Sequence, residues 1–243
     1  MMPVDLLLAA LAFVAGAIGS VAGFGIGSIL TPALGVVTGI RLAVALVAIP
    51  HAVGTAVRLW ALRDAIDRGV LITFGLASAA GGLLGALLHA SLASPVLGVI
   101  LGTLLFLAGA LELTGLGRGL RFPGGWAIAA GVASGAFGGL VGNQGGIRSA
   151  ALLRFDLAPR AVVATATASA ILVDAARLPV YLVTEGAAML ERWPTVLLLT
   201  AGVVAGTLAG APLLRRLPEA IFRRSLALLL VALGLALILG LGR

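Results

Sequence analysis

A chain of 243 residues that is 61% hydrophobic and 10% charged, with a mean hydropathy of +1.20, carries too little charge to cover a soluble surface. Its formal charge of +7 comes from arginine alone, and the arginines sit mostly at segment ends with no basic cluster beside a soluble module, which argues against a nucleic-acid face. Cysteine is absent, so disulfides, thiolate metal sites and thiol redox chemistry are excluded.

Several apolar runs reach about 18 residues or more, the length of a membrane helix rather than of an alternating barrel strand. Glycine, proline and charge serve as punctuation. The start, Met1-Met2-Pro3-Val4-Asp5, lacks the basic region of a signal peptide, so the first run, 4–20, is expected to be a retained span. Gly23-Phe24-Gly25-Ile26-Gly27 interrupts it, and a short piece, 28–37, precedes a long span at 40–62. After the aqueous loop 63–68 come spans at 70–89 and 95–114. A linker, 115–125, carries Arg118 and Arg121 and divides the chain into halves 1–114 and 126–243.

The second half repeats the plan. An apolar segment at 126–141 is broken by Gly142-Asn143-Gln144-Gly145-Gly146-Ile147-Arg148, and a short piece runs to 157. Spans at 159–183, 193–214 and 221–241 follow. A shift of 119 residues lays Gly16, Gly19, Gly23 and Gly27 on Gly135, Gly138, Gly142 and Gly146, and Arg41 and Arg58 on Arg160 and Arg177. Without gaps, 12 of the 44 positions from Gly16 to Leu59 are identical, and the arginine matches are the least explicable by composition. The expectation is an all-α polytopic membrane protein made of two homologous halves, each with four long transmembrane helices and one short or broken one.

A helix of about 14 residues rises about 21 Å, less than the roughly 30 Å hydrocarbon core, so length favours re-entrant short pieces. Charge favours crossing. If the short pieces cross, Arg58, Arg63, Arg68, Arg118, Arg121, Arg154, Arg160, Arg215, Arg216, Arg223 and Arg224 share one face, which leaves Arg41, Arg192, Arg243 and at most two others opposite. Five crossings per half then invert the halves and place both termini away from the cytoplasm, a recurrent transporter plan. Eight spans with two hairpins is the alternative. Trp60, Trp126 and Trp193 lie at segment ends, as interfacial indoles do, and Gly131, Gly135, Gly202, Gly206 and Gly210 form small-residue packing ridges.

Chemistry concentrates at the breaks. Glycine lets the backbone leave helical geometry, and the N–H groups freed there need a partner from protein, water or substrate. A helix starting at Gly145-Gly146 points amides and a positive dipole at an anion, Arg148 adds a charged fork, and Asn143 and Gln144 add neutral donors. Gly142 completes this set of substrate-binding candidates, with Gly23, Gly25 and Gly27 as the first-half counterparts. Tight helix packing is the competing explanation for the glycines.

On the long span after the second break, Thr167, Asp174, Arg177 and Tyr181 recur at helical spacing on one face. Asp174 lies near the bilayer centre, where an ionisable group is costly, and can pair with Arg177 at i,i+3. Arg177 is a candidate for the anion, and Asp174 for coupling or charge pairing. In the first half His51, Thr55 and Arg58 occupy the places of Ala170, Asp174 and Arg177. His51 is the second coupling candidate, since imidazole titrates near neutral pH. Arg58 is close enough to Arg63 to snorkel to the interface, and His89, at a span end, is placed at the interface too. No HExxH, GxSxG or Walker loop occurs, nor a carboxylate cluster for a metal, so no enzyme, cofactor or metal site is expected.

In GSVAGFGIGSILTPALGVVTGIRLAVA and SGAFGGLVGNQGGIRSAALLRFDLAPRAVVATATASAILVDAARLPVYL the chain resembles the sulfite exporter TauE/SafE family, also called the toluene sulfonate uptake permease family. The second copy departs from a GxGGG-type run and looks like a subgroup with GNQG-x-x-R and a later D-x-x-R. The resemblance implies transport of sulfite, sulfonates or related small anions across the cell inner membrane. Partners are then a small anion and the bilayer, with room for a homodimer. A secondary transporter is the leading expectation. A non-transporting scaffold, an intramembrane enzyme and an anion channel are the alternatives.

Overall fold

The computed structural model describes residues 3–23, 25–116, 126–152, 155, 157–214 and 219–240. Most of the linker 115–125, with Arg118 and Arg121, lies outside the described residues, as do Phe24, Arg154, Arg215, Arg216 and Arg243. Every described element is helical. In the first half these are α1 (Pro3–Ala22), α2 (Ile26–Thr38), α3 (Ile40–Leu62), α4 (Arg68–Val70), α5 (Leu76–Ser91) and α6 (Ser94–Thr114). A 3-10 turn, Arg63–Ala65, follows α3, and a π-helical turn, Leu71–Gly75, joins α4 to α5. The second half holds α7 (Ala127–Val141), α8 (Gly145–Leu152), α9 (Pro159–Thr184), α10 (Gly186–Glu191), α11 (Trp193–Leu214) and α12 (Glu219–Ile238).

Seven helical stretches among the described residues are long and apolar enough to cross a bilayer. The chain is an all-α polytopic membrane protein. The helix α7 departs from the expected plan of four long helices per half: its 15 described residues rise about 22 Å, below the hydrocarbon thickness. The short α10, which bridges α9 and α11, has no counterpart in the sequence reading.

Packing partners come in exchanged pairs. Helix α1 packs on α11 and α5 on α7; α3 packs on α11 and α5 on α9; α3 meets α9, and α6 meets α12. Each of these contacts has its equivalent when the halves are swapped. Lipid is as apolar as a leucine side chain, so these contacts rest on close approach rather than on hydrophobic drive. A Cβ on Gly206 would fall on the Phe13 carbonyl oxygen and one on Gly135 on the Ser78 carbonyl, which confirms both ridges as packing devices. Gly206→Ala is therefore expected to cost about 1–3 kcal/mol through forced separation of α1 and α11. Gly186→Ala, where a Cβ meets nothing within 4 Å, should be neutral; thermal unfolding in detergent compares the two.

The central helices are α3 and α9. Arg41, at the start of α3, pairs at 2.6 Å with Glu185 just past α9, and Arg160, at the start of α9, pairs at 3.0 Å with Asp64 just past α3. These two clasps make the helices antiparallel and set His51 and Arg58 against the middle of α9. Trp60, Trp126 and Trp193 are 72%, 59% and 58% exposed at helix ends, as interfacial anchors require.

Candidate functional site

Both glycine breaks end a helix in the same way. Gly23 (φ 76°) and Gly142 (φ 72°) adopt left-handed conformations open to glycine, and their N–H groups close on the carbonyls of Gly19 at 3.1 Å and Gly138 at 3.0 Å. Gly25 (φ 130°) completes the first turn-out. The chain then restarts as α2 and α8. The first intrahelical bonds of the restarted helices are Ile29 N–H to Gly25 O and Arg148 N–H to Gln144 O. The N–H groups just before them thus have no helical acceptor.

The two breaks face each other. A Cβ on Gly27 would collide with the carbonyl oxygen of Gly142, and Ser28 Oγ lies 3.4 Å from Asn143 Oδ1. Between them is a small cavity. One wall comes from Gly25, Gly27, Ser28 and His51; the other comes from Gly142, Asn143, Gln144, Gly145 and Arg148. Gly146 leaves open space where a side chain would be. Two helix N-termini therefore border one cavity, each bringing partial positive charge.

Three arginines surround this point, and all are turned inward. Arg177 donates from Nε to Asp174 Oδ1 at 2.9 Å and from Nη1 to Gly138 O at 2.7 Å, while Nη2 lies 2.8 Å from the same Asp174 oxygen. Arg58 donates from Nε to Thr167 Oγ1 at 3.0 Å and from Nη1 to Gly19 O. Gly19 and Gly138 are equivalent under the 119-residue shift, so each half sends its arginine to the same carbonyl of its own break. Arg58 does not snorkel: it is 8% exposed, because the Gly19 carbonyl and Thr167 hydroxyl draw it toward the centre.

Arg148 differs from the other two. Only its Nη2 is engaged, donating to Gly23 O at 3.2 Å across the break; Nε and Nη1 have no partner among the described residues, although the side chain is 2% exposed. The amide of Gln144 is equally buried and unpartnered. Unpaired buried donors are rare because each forfeits its hydration, and here they lie at a cavity between helix N-termini.

Asp174 joins the halves. Its Oδ1 takes Arg177, and its Oδ2 lies 2.7 Å from His51 Nδ1 on α3. Tyr181 caps the far side, donating from its hydroxyl to Gly139 O. Thr55 is buried with no partner among the described residues and does not line the cavity. The interfacial assignment of His89 is overturned: the ring is fully buried, its Nδ1 lies 2.8 Å from Leu140 O, and it tilts against Tyr181 at 5.1 Å. A helix end covered by α7 need not reach lipid headgroups. Ser28 was missed in the sequence because a serine beside glycines carries no pattern of its own.

The family model for the sulfite exporter TauE/SafE matches residues 8–237. The chain belongs to this family. No curated protein and no solved structure matches it. TauE/SafE membership implies transport of sulfite or related sulfur-containing anions across a membrane, and not an enzymatic role. The match begins inside α1 and ends inside α12, so it takes in both glycine breaks and every residue of the cavity.

Proposed function

We propose that this TauE/SafE protein is a secondary transporter of a small sulfur-containing oxyanion or organosulfonate, bound where its two glycine breaks meet. The observation that carries this reading is Arg148, a buried guanidinium whose Nε and Nη1 have no partner among the described residues at the cavity wall. An oxyanion supplies the two acceptors these donors lack, in the planar fork geometry that suits arginine. The amides of Gly27, Gly145 and Gly146 add backbone donors, and Asn143 and Gln144 add neutral ones. Gly142, Gly23 and Gly25 shape the turns. Arg177 and Arg58 add positive charge from behind, steadied by Asp174, Tyr181 and Thr167. Three arginines against one carboxylate leave a positive excess, which an entering anion offsets.

The exchanged helix contacts and the antiparallel α3 and α9 support two inverted halves, 1–114 and 126–243, with α2 and α8 as the short crossings. The arginine distribution in the sequence supports both termini outside the cytoplasm of the inner membrane. Ion or substrate gradients drive the movement. Uptake of radiolabelled sulfite into proteoliposomes tests the reading: sulfite flux is expected, with competition by organosulfonates. Absence of flux for each of these anions contradicts it, and unitary current steps in planar bilayers reassign the protein as a channel.

A further inference from the structure

His51 stands at a junction that anion binding alone does not explain. It lines the cavity together with Arg148, and its Nδ1 is held 2.7 Å from Asp174 Oδ2. The other oxygen of Asp174 is bound by Arg177. A carboxylate so held stays ionised and accepts, so Nδ1 carries the hydrogen and donates. The lone pair of the neutral ring is then on Nε2. The arrangement orients a base at the wall of an anion cavity.

The charges around the ring fall into two sets. Asp174 on α9 brings a negative charge to the ring, whereas Arg177 on α9 and Arg148 on α8 bring positive ones. Helices α2, α7 and α11, which also pack against α3, bring no titratable side chain. Of the other elements packed on α3, α6 brings Glu112, engaged by Arg223, α10 brings Glu191, and the turn past α3 brings Arg63 and Asp64. On α3 and α9 themselves stand Arg58, bound to Gly19 O and Thr167, Tyr181, bound to Gly139 O, and at the ends Arg41 and Arg160, paired with Glu185 and Asp64. The opposing charge from Arg148 is the one that an anion in the cavity would offset.

Resting on the proposed anion site, we infer that one proton binds with each anion, on Nε2 of His51, and makes the protein a proton-coupled carrier. The proton adds to the Nε2 lone pair, and the resulting imidazolium donates from Nδ1 to Asp174 and from Nε2 toward the anion. Linkage is reciprocal: the anion favours the protonated ring, and acid tightens anion binding by the same factor. A pH gradient then moves the anion.

Calorimetry on purified protein in lipid nanodiscs tests this with sulfite as the probe, in alkaline buffers of differing ionisation enthalpy where free sulfite is the dianion. Wild type is expected to take up about one proton per sulfite, and His51→Gln none. Sulfite binding without proton uptake, or uptake unchanged in His51→Gln, overturns the coupling and leaves the anion site standing. Absence of sulfite binding by wild type removes both. If His51→Gln does not fold, wild-type affinity decides: it should weaken about tenfold per pH unit above the titration of the free ring, and a flat profile overturns the inference.

Discussion

Arg148→Gln is expected to lower radiolabelled sulfite flux about 100-fold or more while the protein still folds. Glutamine keeps part of the side-chain volume but removes the charge and the two free donors. Each hydrogen bond between a charged group and its partner contributes about 1.5–3 kcal/mol, and every 1.4 kcal/mol is a factor of ten, so two such bonds account for a loss of this size. The protein loses little in exchange, because among the described residues Arg148 makes only the bond from Nη2 to Gly23 O. Removal of one of three buried arginine charges gathered about a single carboxylate also relieves their mutual repulsion. Flux and stability should therefore move apart: little transport, with an unfolding midpoint at or above that of wild type. A loss of both together would make Arg148 a packing residue.

Asp174→Asn is expected to act in the opposite sense, with the larger effect on stability. It leaves Arg177 buried and unpaired and takes the acceptor from His51, and a broken buried pair costs about 3–5 kcal/mol. The double variant Asp174→Asn with Arg177→Gln removes both charges and should regain most of that loss, since neutralised pairs are often near-neutral in stability. Transport should not return with it. A scaffold would be satisfied by the double variant; a carrier, which needs the charge near the anion and the orientation of His51, would not. Thermal unfolding together with sulfite flux on the three proteins reads both quantities.

Much of this arrangement is legible in the residue order, and the reason is duplication. The shift that aligns Gly19 with Gly138 and Arg58 with Arg177 marks these residues as equivalent, and in the structure the two arginines close on equivalent carbonyls. Proline and charge mark the ends of Ile40–Leu62 and Trp193–Leu214, which match the expected spans. The spacing of Asp174 and Arg177 gives their pairing, because i and i+3 share a helix face.

What the order does not carry is which faces meet. Helical periodicity puts His51 on one face of α3, but only the antiparallel clasp of α3 and α9 sets it opposite Asp174. The interfacial placement of His89 fails for the same reason, and so does the snorkelling alternative for Arg58. Closeness to a segment end suggests lipid headgroups, whereas their neighbours in space are the carbonyls of Gly19 and Leu140. The duplication implies that the two breaks face each other, and they do; the close approach of Gly27 to Gly142 that shapes the cavity is a contact between halves that spacing does not encode.

The proposed oxyanion sits between Arg148 and the two glycine breaks. Selenite, a heavier analogue of sulfite, makes it directly visible by anomalous diffraction from crystals of the wild-type protein. One peak is expected between the breaks, within hydrogen-bond distance of Arg148 Nε and Nη1 and beside Gly27 and Gly145. A peak elsewhere in the bundle, or none at selenite concentrations that saturate competition with sulfite flux, would contradict it.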